Sequence, residues 1–528
     1  MEQRVPSGSG ISAGANEPNE PSPTLAPMNA RLHAVIDLSV AQAREGTGRH
    51  EFDGQIQDLS PAGVDSALAR LGGPPLADPH DEAHLLAFEN SARVNFGALQ
   101  MHRRNPLIHL ENLELACYDR AYAPDAERDA ARSRHLAQWP DAVDMAIESL
   151  DRVPAPVAQA LLPAVTGLAD GLPPADPGVD AAVAAHRRLV EHLRGLAANG
   201  TPDTALGRAA LEELMGAEEA VASVELTSLA ERAMRERDRL HAMMAEGCRQ
   251  LVPRAPVEQT VAALLADHPS ATDVVATAAG ASDETIAFCR EREFLTHLDG
   301  ECRVGVAPPS RRWATAMLSW SGPYEPDGPS HYDITPPDPS WPESEQAEWL
   351  TMFSETALAA VTAHEVAPGH FAHGRAMRHA AGDVRRSLIG AGFAEGWAHY
   401  GEELMLEEGF RSDDPRFQVG VALEALVRLT RLSCAIGLHT GAMDVGDATA
   451  AFVNDAFMPE ATARAEAGRG TFDPTYGVYT WGKWMILDAR DDARRRWGTD
   501  FTLRRFHDAL MQLGSPPLGL MGEAVRSG

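Results

Sequence analysis

Between residues 30 and 300, apolar residues recur at spacings of three and four in stretches rich in Ala, Leu and Arg. That is the period of a helix with one buried face. It predicts helices over Asp141–Arg152 and Ala181–Ala198, and one long helix from Ala205 to Leu251. Pro/Gly clusters at 171–178 and 199–203 separate these runs as turns, since Pro lacks a backbone donor and Gly weakens a helix interior. After residue 300 the pattern changes. Arg303–Ala307 and Ala314–Ser321 read as short strands among Gly-Pro and Pro-Pro turns, and helical spacing returns from Glu343 to the end. No internal repeat is evident. The pattern predicts a mainly α protein of many helices with a small β-sheet beside the helix that carries the candidate chemistry. Three segments are expected: a leader over 1–27, disordered by its Ser, Gly, Pro and Asn content, a helical lobe over 28–300, and a catalytic lobe over 301–528. The 28–300 helices would form one wall of a cleft, with the two lobes intertwined as one unit.

Composition narrows the class. A chain of 528 residues with 44% hydrophobic and 23% charged positions has ample material for a soluble globular core. No run approaches the roughly 18 uninterrupted apolar residues of a membrane span, and the first residues lack the apolar centre of a secretory signal. The five cysteines are scattered, odd in number and without a CxxC pair, which predicts reduced thiols in a cytoplasm and no cysteine metal site. A net charge of −30 argues against nucleic acid, whose affinity comes from Lys and Arg neutralising phosphates. No membrane partner is expected either, and oligomeric state is left open. Lys483 is the single lysine among 46 basic residues, as arginine-favouring base composition would leave it.

The densest chemistry lies in His364-Glu365-Val366-Ala367-Pro368-Gly369-His370. A zinc-hydrolase helix carries HExxH, with two histidines four residues apart on one face and the Glu as base. Here the histidines are six apart. At about 100° per residue they would fall on opposite sides of a regular helix. Pro368 and Gly369 lie between them, so a local break there is what could bring His370 back to His364. Downstream, Glu395-Gly396-Trp397-Ala398-His399-Tyr400-Gly401-Glu402 offers Glu395 as a third ligand, completing a His/His/Glu set with one position left for water. His399, one turn on, and Glu402 are its rivals and are expected to support the site rather than bind metal. His373 and His379 are expected to have no part in it.

These two segments resemble the bacterial domain-of-unknown-function family 885, which carries HExxPGHH followed by EGWAxYxE and is grouped with gluzincin-type metallopeptidases. The likeness extends to Tyr332–Pro337 before the HE helix, to the block Arg428–His439, to Tyr479 with Gly482-Lys483, and to Phe506-His507-Asp508. It covers roughly residues 28–525. The chain departs from the family pattern at Phe371, where a histidine is common, and at Ala435, where the family has aspartate. The resemblance implies a zincin-like catalytic fold and a metal bound by His364, His370 and Glu395, with Glu365 as general base. It also offers Tyr479 and then His439 as donors to a developing oxyanion, and it leaves Arg428, Arg431, Arg490 and Lys483 as possible substrate contacts. For the arginines, ion pairing within an acidic protein is the stronger expectation.

The expected activity is therefore a zinc-dependent hydrolase, a metallopeptidase of oligopeptidase or carboxypeptidase type acting on short peptides. Zn2+ is expected at one per chain, with Mn2+ or Co2+ as substitutes. A metal-dependent amide or ester hydrolase of a small metabolite is the first alternative, and a catalytically decayed metal-binding scaffold the second. The intact Glu365 argues against the scaffold, because binding metal needs only the ligands.

Overall fold

The computed structural model describes residues 28–527, apart from 171, 173–175, 177, 309, 310, 313, 326 and 327. The expected leader over 1–27 lies outside the described residues. The fold is mainly helical, with one three-stranded sheet. The predicted helices appear at Trp139–Ser149 and Val179–Asn199, within three residues of their expected limits.

The long helix expected from Ala205 to Leu251 is two helices, Arg208–Glu218 and Leu226–Leu251. Ala220 adopts a left-handed φ of 51° at the break. The buried Glu219 side chain accepts from the Gly392 N–H at 3.0 Å and the Leu518 N–H at 3.1 Å. Tertiary hydrogen bonds, rather than a Pro or Gly, interrupt the apolar period here.

Strand β1 (Cys302–Val306) and strand β2 (Ala316–Ser319) occupy the two predicted strand segments. Strand β3 (Ser330–Ile334) lies between them, parallel to β1 and antiparallel to β2. Tyr332 of β3 is fully buried, with its hydroxyl 3.3 Å from that of Thr362 on the helix Glu355–Glu365. The loop after β2 is fastened to the N-terminal part of the chain. Trp320 Nε1 donates to the Gly46 carbonyl at 2.7 Å, and Arg120 donates to the Trp320 carbonyl at 2.8 Å.

The largest apolar cluster runs from Leu211 to Val525 and includes Leu240, Met244, Cys289, Tyr332, Phe371, Trp397 and Leu426. It therefore draws on residues from both sides of position 300. Smaller clusters centre on Trp139 and on Leu32 with Leu85.

Candidate metal centre

Ser354 caps the helix Glu355–Glu365 by accepting from the Ala357 N–H, and the helix delivers His364 and Glu365 at its last turn. There the hydrogen-bond register changes. Gly369 N–H donates to the Ala363 carbonyl at 3.1 Å and Ala372 N–H to the Val366 carbonyl at 3.2 Å. Each bond spans six residues, where a regular helix spans four. Two residues are extruded between the helix and its successor His370–Met377, so a six-residue separation takes the place of the usual four. The His364 and His370 rings consequently meet, with centroids 4.8 Å apart and planes at 88°.

Two contacts hold this break. Trp397 Nε1 donates to the Pro368 carbonyl at 2.8 Å, which gives the Trp of EGWA a definite task. Gly369 is pressed onto the preceding helix so closely that a Cβ would lie 1.7 Å from the His364 carbonyl oxygen. No side chain fits there.

Glu395 comes from the helix Ala391–Glu407. Its Oε2 lies 3.4 Å from His364 Nε2 and 3.4 Å from His370 Nε2, and the donor atoms of the three residues all lie within 4.8 Å of one another. Bonds of about 2.0–2.1 Å at tetrahedral angles place neighbouring zinc donors about 3.4 Å apart. The spacing is long for a charge-assisted hydrogen bond, and Oε2 of Glu395 is buried without a hydrogen-bond partner. The donor set thus fits a zinc ion better than it satisfies itself. Glu395 and His370 retain 26% and 15% of their side-chain exposure, so the cluster is recessed but reachable.

Glu402, about two helix turns beyond Glu395, is wholly buried behind the cluster. It accepts from His364 Nδ1 at 2.7 Å, lies 3.3 Å from His399 Nδ1, and pairs with Arg428 at 3.2 Å. A carboxylate on Nδ1 leaves Nε2 facing the cluster, which is how ligating histidines are commonly oriented. Burial and Arg428 push the His364 pKa down, but the neighbouring carboxylates of Glu395 and Glu402 outweigh them and lift it to about 9. Burial opposes ionisation of Glu402, yet Arg428, His399 and His364 hold its carboxyl well below the usual range. Glu395 is depressed in the same way by His370 and His364 against burial. Burial brings His399 to about 3 and His373 to about 3, so both are neutral. His373 packs between Trp320 and Phe393 rather than joining the cluster.

Glu365 leans the other way, towards the sheet. Its Oε2 accepts from the Leu318 N–H of β2 at 2.9 Å. Tyr479 arrives from the helix Val478–Trp497 and lies 6.2 Å from the His364 ring at an interplanar angle of 18°. That helix crosses the Glu395 helix at two glycines. A Cβ on Gly396 would meet the Gly482 Cα at 2.5 Å, and one on Gly482 would meet the Gly392 carbonyl oxygen at 2.1 Å. The Arg431 guanidinium stands over the Tyr479 ring at 5.3 Å. Burial and the nearby Glu395 push the phenol pKa up, so the hydroxyl stays protonated.

The structure does not bring His439 to the cluster. It is buried, its Nε2 lies 2.8 Å from the Gly470 carbonyl, and it lines a separate small cavity with Arg104 and Thr204. The three candidate arginines are ion-paired: Arg428 with Glu424 and Glu402, Arg431 with both oxygens of Glu466, and Arg490 with both oxygens of Glu407. Lys483 is buried 2.5 Å from Glu403. Two contributors escaped the sequence reading, the Leu318 backbone and Glu219. Glu219 supplies an acceptor at the start of the Glu395 helix, which has no side-chain cap of its own.

Two solved structures share this fold. One is a presumed lipoprotein of unknown function from Shewanella oneidensis, at 21% identity and a TM-score of 0.73, covering 94% of this chain and 99% of its own. The other is a presumed lipoprotein from Colwellia psychrerythraea, at 16% identity and a TM-score of 0.74, covering 94% and 97%. Comparison with curated proteins gives no match. The family of bacterial proteins of unknown function DUF885 matches residues 41–525, and the chain belongs to it.

Proposed function

We propose that this protein is a zinc-dependent hydrolase, a metallopeptidase of short peptides with a zincin-like catalytic arrangement related to the gluzincins. The observation that carries the proposal is the convergence of two imidazoles on one carboxylate oxygen, each at 3.4 Å, beside a separately anchored Glu365. His364, His370 and Glu395 would hold the ion. When bound, zinc polarises a carbonyl and lowers the pKa of a coordinated water to about 7. The chain's own residues supply the rest. Glu365, fixed by the Leu318 N–H, accepts a proton from the attacking water and returns it to the leaving nitrogen. Tyr479, kept protonated, donates to the oxygen on which negative charge develops. Recession of the donors, with the loop after β2 tied to the N-terminal residues, favours short or unfolded chains.

Metal analysis and turnover test this together. Zinc bound by the wild type should be lost from this centre in His364→Ala and Glu395→Ala. Glu365→Gln should keep the metal while hydrolysis of a dipeptide and tripeptide library falls by about 10²–10⁴. A wild type that takes up no zinc here, or an equally active Glu365→Gln, would sink the proposal. Cytoplasmic placement belongs to the same proposal. Among the described residues no helix is long and apolar enough to cross a membrane, and the two structural relatives are presumed lipoproteins. Fractionation of producing cells distinguishes a soluble cytoplasmic chain from a membrane-associated one.

A further inference from the structure

A second set of metal donors lies outside the candidate centre. His297 and Asp299, in the loop before β1, and His379, just beyond the helix His370–Met377, bring their donor atoms within 4.8 Å of one another. Asp299 and His379 are exposed and His297 is half-buried. Packing assembles them. The buried Arg375 donates to Asp299 Oδ2 at 2.7 Å. Gly300, at a left-handed φ of 86°, lets the loop close over that guanidinium, where a Cβ would lie 2.5 Å from Arg375 Cζ. Asp299 is therefore fixed against the helix that His379 follows.

The His297 and His379 rings stack at 3.8 Å with an interplanar angle of 11°. Two imidazoles and a carboxylate without a thiolate suit Zn2+, Ni2+ or Cu2+ better than the hard ions Ca2+ and Mg2+. The position excludes a shared catalytic step. The helix that begins at His370 runs to Met377, roughly 10 Å of rise before the chain reaches His379, whereas paired catalytic ions lie about 3.5–4 Å apart.

We propose that His297, Asp299 and His379 form a second, surface site for a divalent transition ion, which clamps the loop entering β1 to the helix carrying His370. The site does not depend on the hydrolase reading. The test is calorimetric titration of Zn2+ into chelator-stripped full-length protein, for wild type, Glu395→Gln, His297→Ala and His379→Ala. Two equivalents are expected in the wild type, the weaker lost in either surface variant and kept in Glu395→Gln. In Glu395→Gln protein, zinc should raise Tm, and adding His379→Ala should abolish the rise. A single equivalent indifferent to His297→Ala and His379→Ala overturns the site and leaves the catalytic centre standing. A single equivalent lost in His379→Ala but kept in Glu395→Gln supports the site and removes the catalytic one. No uptake at all overturns both.

Discussion

Replacing Gly369 by alanine perturbs the break between the two histidines without touching a donor atom. Its added Cβ would lie 1.7 Å from the His364 carbonyl oxygen and 2.7 Å from that of Ala363. Both obstacles are backbone atoms inside the helix that delivers His364, so no rotamer change relieves them. To reach about 3.0 Å, the shortest contact a real Cβ tolerates, the segments must part by about 1.3 Å. Metal–ligand distances tolerate only about 0.2 Å, so a displacement of that size takes either His364 or His370 out of reach. Zinc affinity should fall at least as far as when a supporting residue is lost, about 10–100-fold. Overpacking should also cost about 1–3 kcal/mol of stability. Competition against a chromogenic chelator reads the affinity and urea unfolding reads the stability. Gly305→Ala on β1 is the control, since a Cβ there meets nothing within 4 Å. If Gly369→Ala binds zinc within threefold of the wild type, the extruded break is not what assembles the centre.

The other expectations act on single groups. Glu402→Gln keeps the shape but removes the charge that fixes His364 Nδ1, so zinc affinity should drop about 10–100-fold in the same chelator assay. Tyr479→Phe should lower kcat by about 10²–10³ with little change in KM, and a KM effect alone would assign the hydroxyl to substrate binding instead. Glu219 has its pKa raised from 4.5 to about 7, chiefly by burial. The fold thus favours the protonated acid, and its contribution is full below about pH 4.5 and lost as pH rises through about 7, an effect on the order of 3 kcal/mol. Urea midpoints of the wild type should fall between pH 5 and 8 more steeply than those of Glu219→Gln, and parallel curves would show that Glu219 does not titrate in that range.

That His364, His370 and Glu395 would come together was legible in the chain, while the geometry that brings them together was legible only in part. His364, Glu365, His370 and Glu395 stood out because residue types able to bind a metal or move a proton fall there at characteristic spacings. The Pro-Gly pair marked where the helix must break. What it did not reveal is the size of the break, since two extruded residues depend on Gly369 touching the His364 carbonyl and on Trp397 holding the Pro368 carbonyl from 29 positions away. Strands β1 and β2 were visible as extended runs between turns. The parallel pairing of β3 with β1 was not, because a strand's pattern does not name its partner.

His439 and Glu219 show the two directions of failure. His439 sits in a block that resembles the family's, and it falls on the same helical face as Arg428, which does reach the site through Glu402. Eleven residues of helix nevertheless carry it roughly 16 Å further along the axis, where the Gly470 carbonyl occupies its ring. Shared membership of a block said nothing about distance. Glu219 carried no motif and no turn signal, and helical spacing ran straight through it. Its side chain holds the backbone at the start of the Glu395 helix, so its role is set wholly by what packs against it. A buried side chain spent on another helix's first turn explains both the unexpected break after Glu218 and the fixed entry of the Glu395 helix, which lacks a cap of its own.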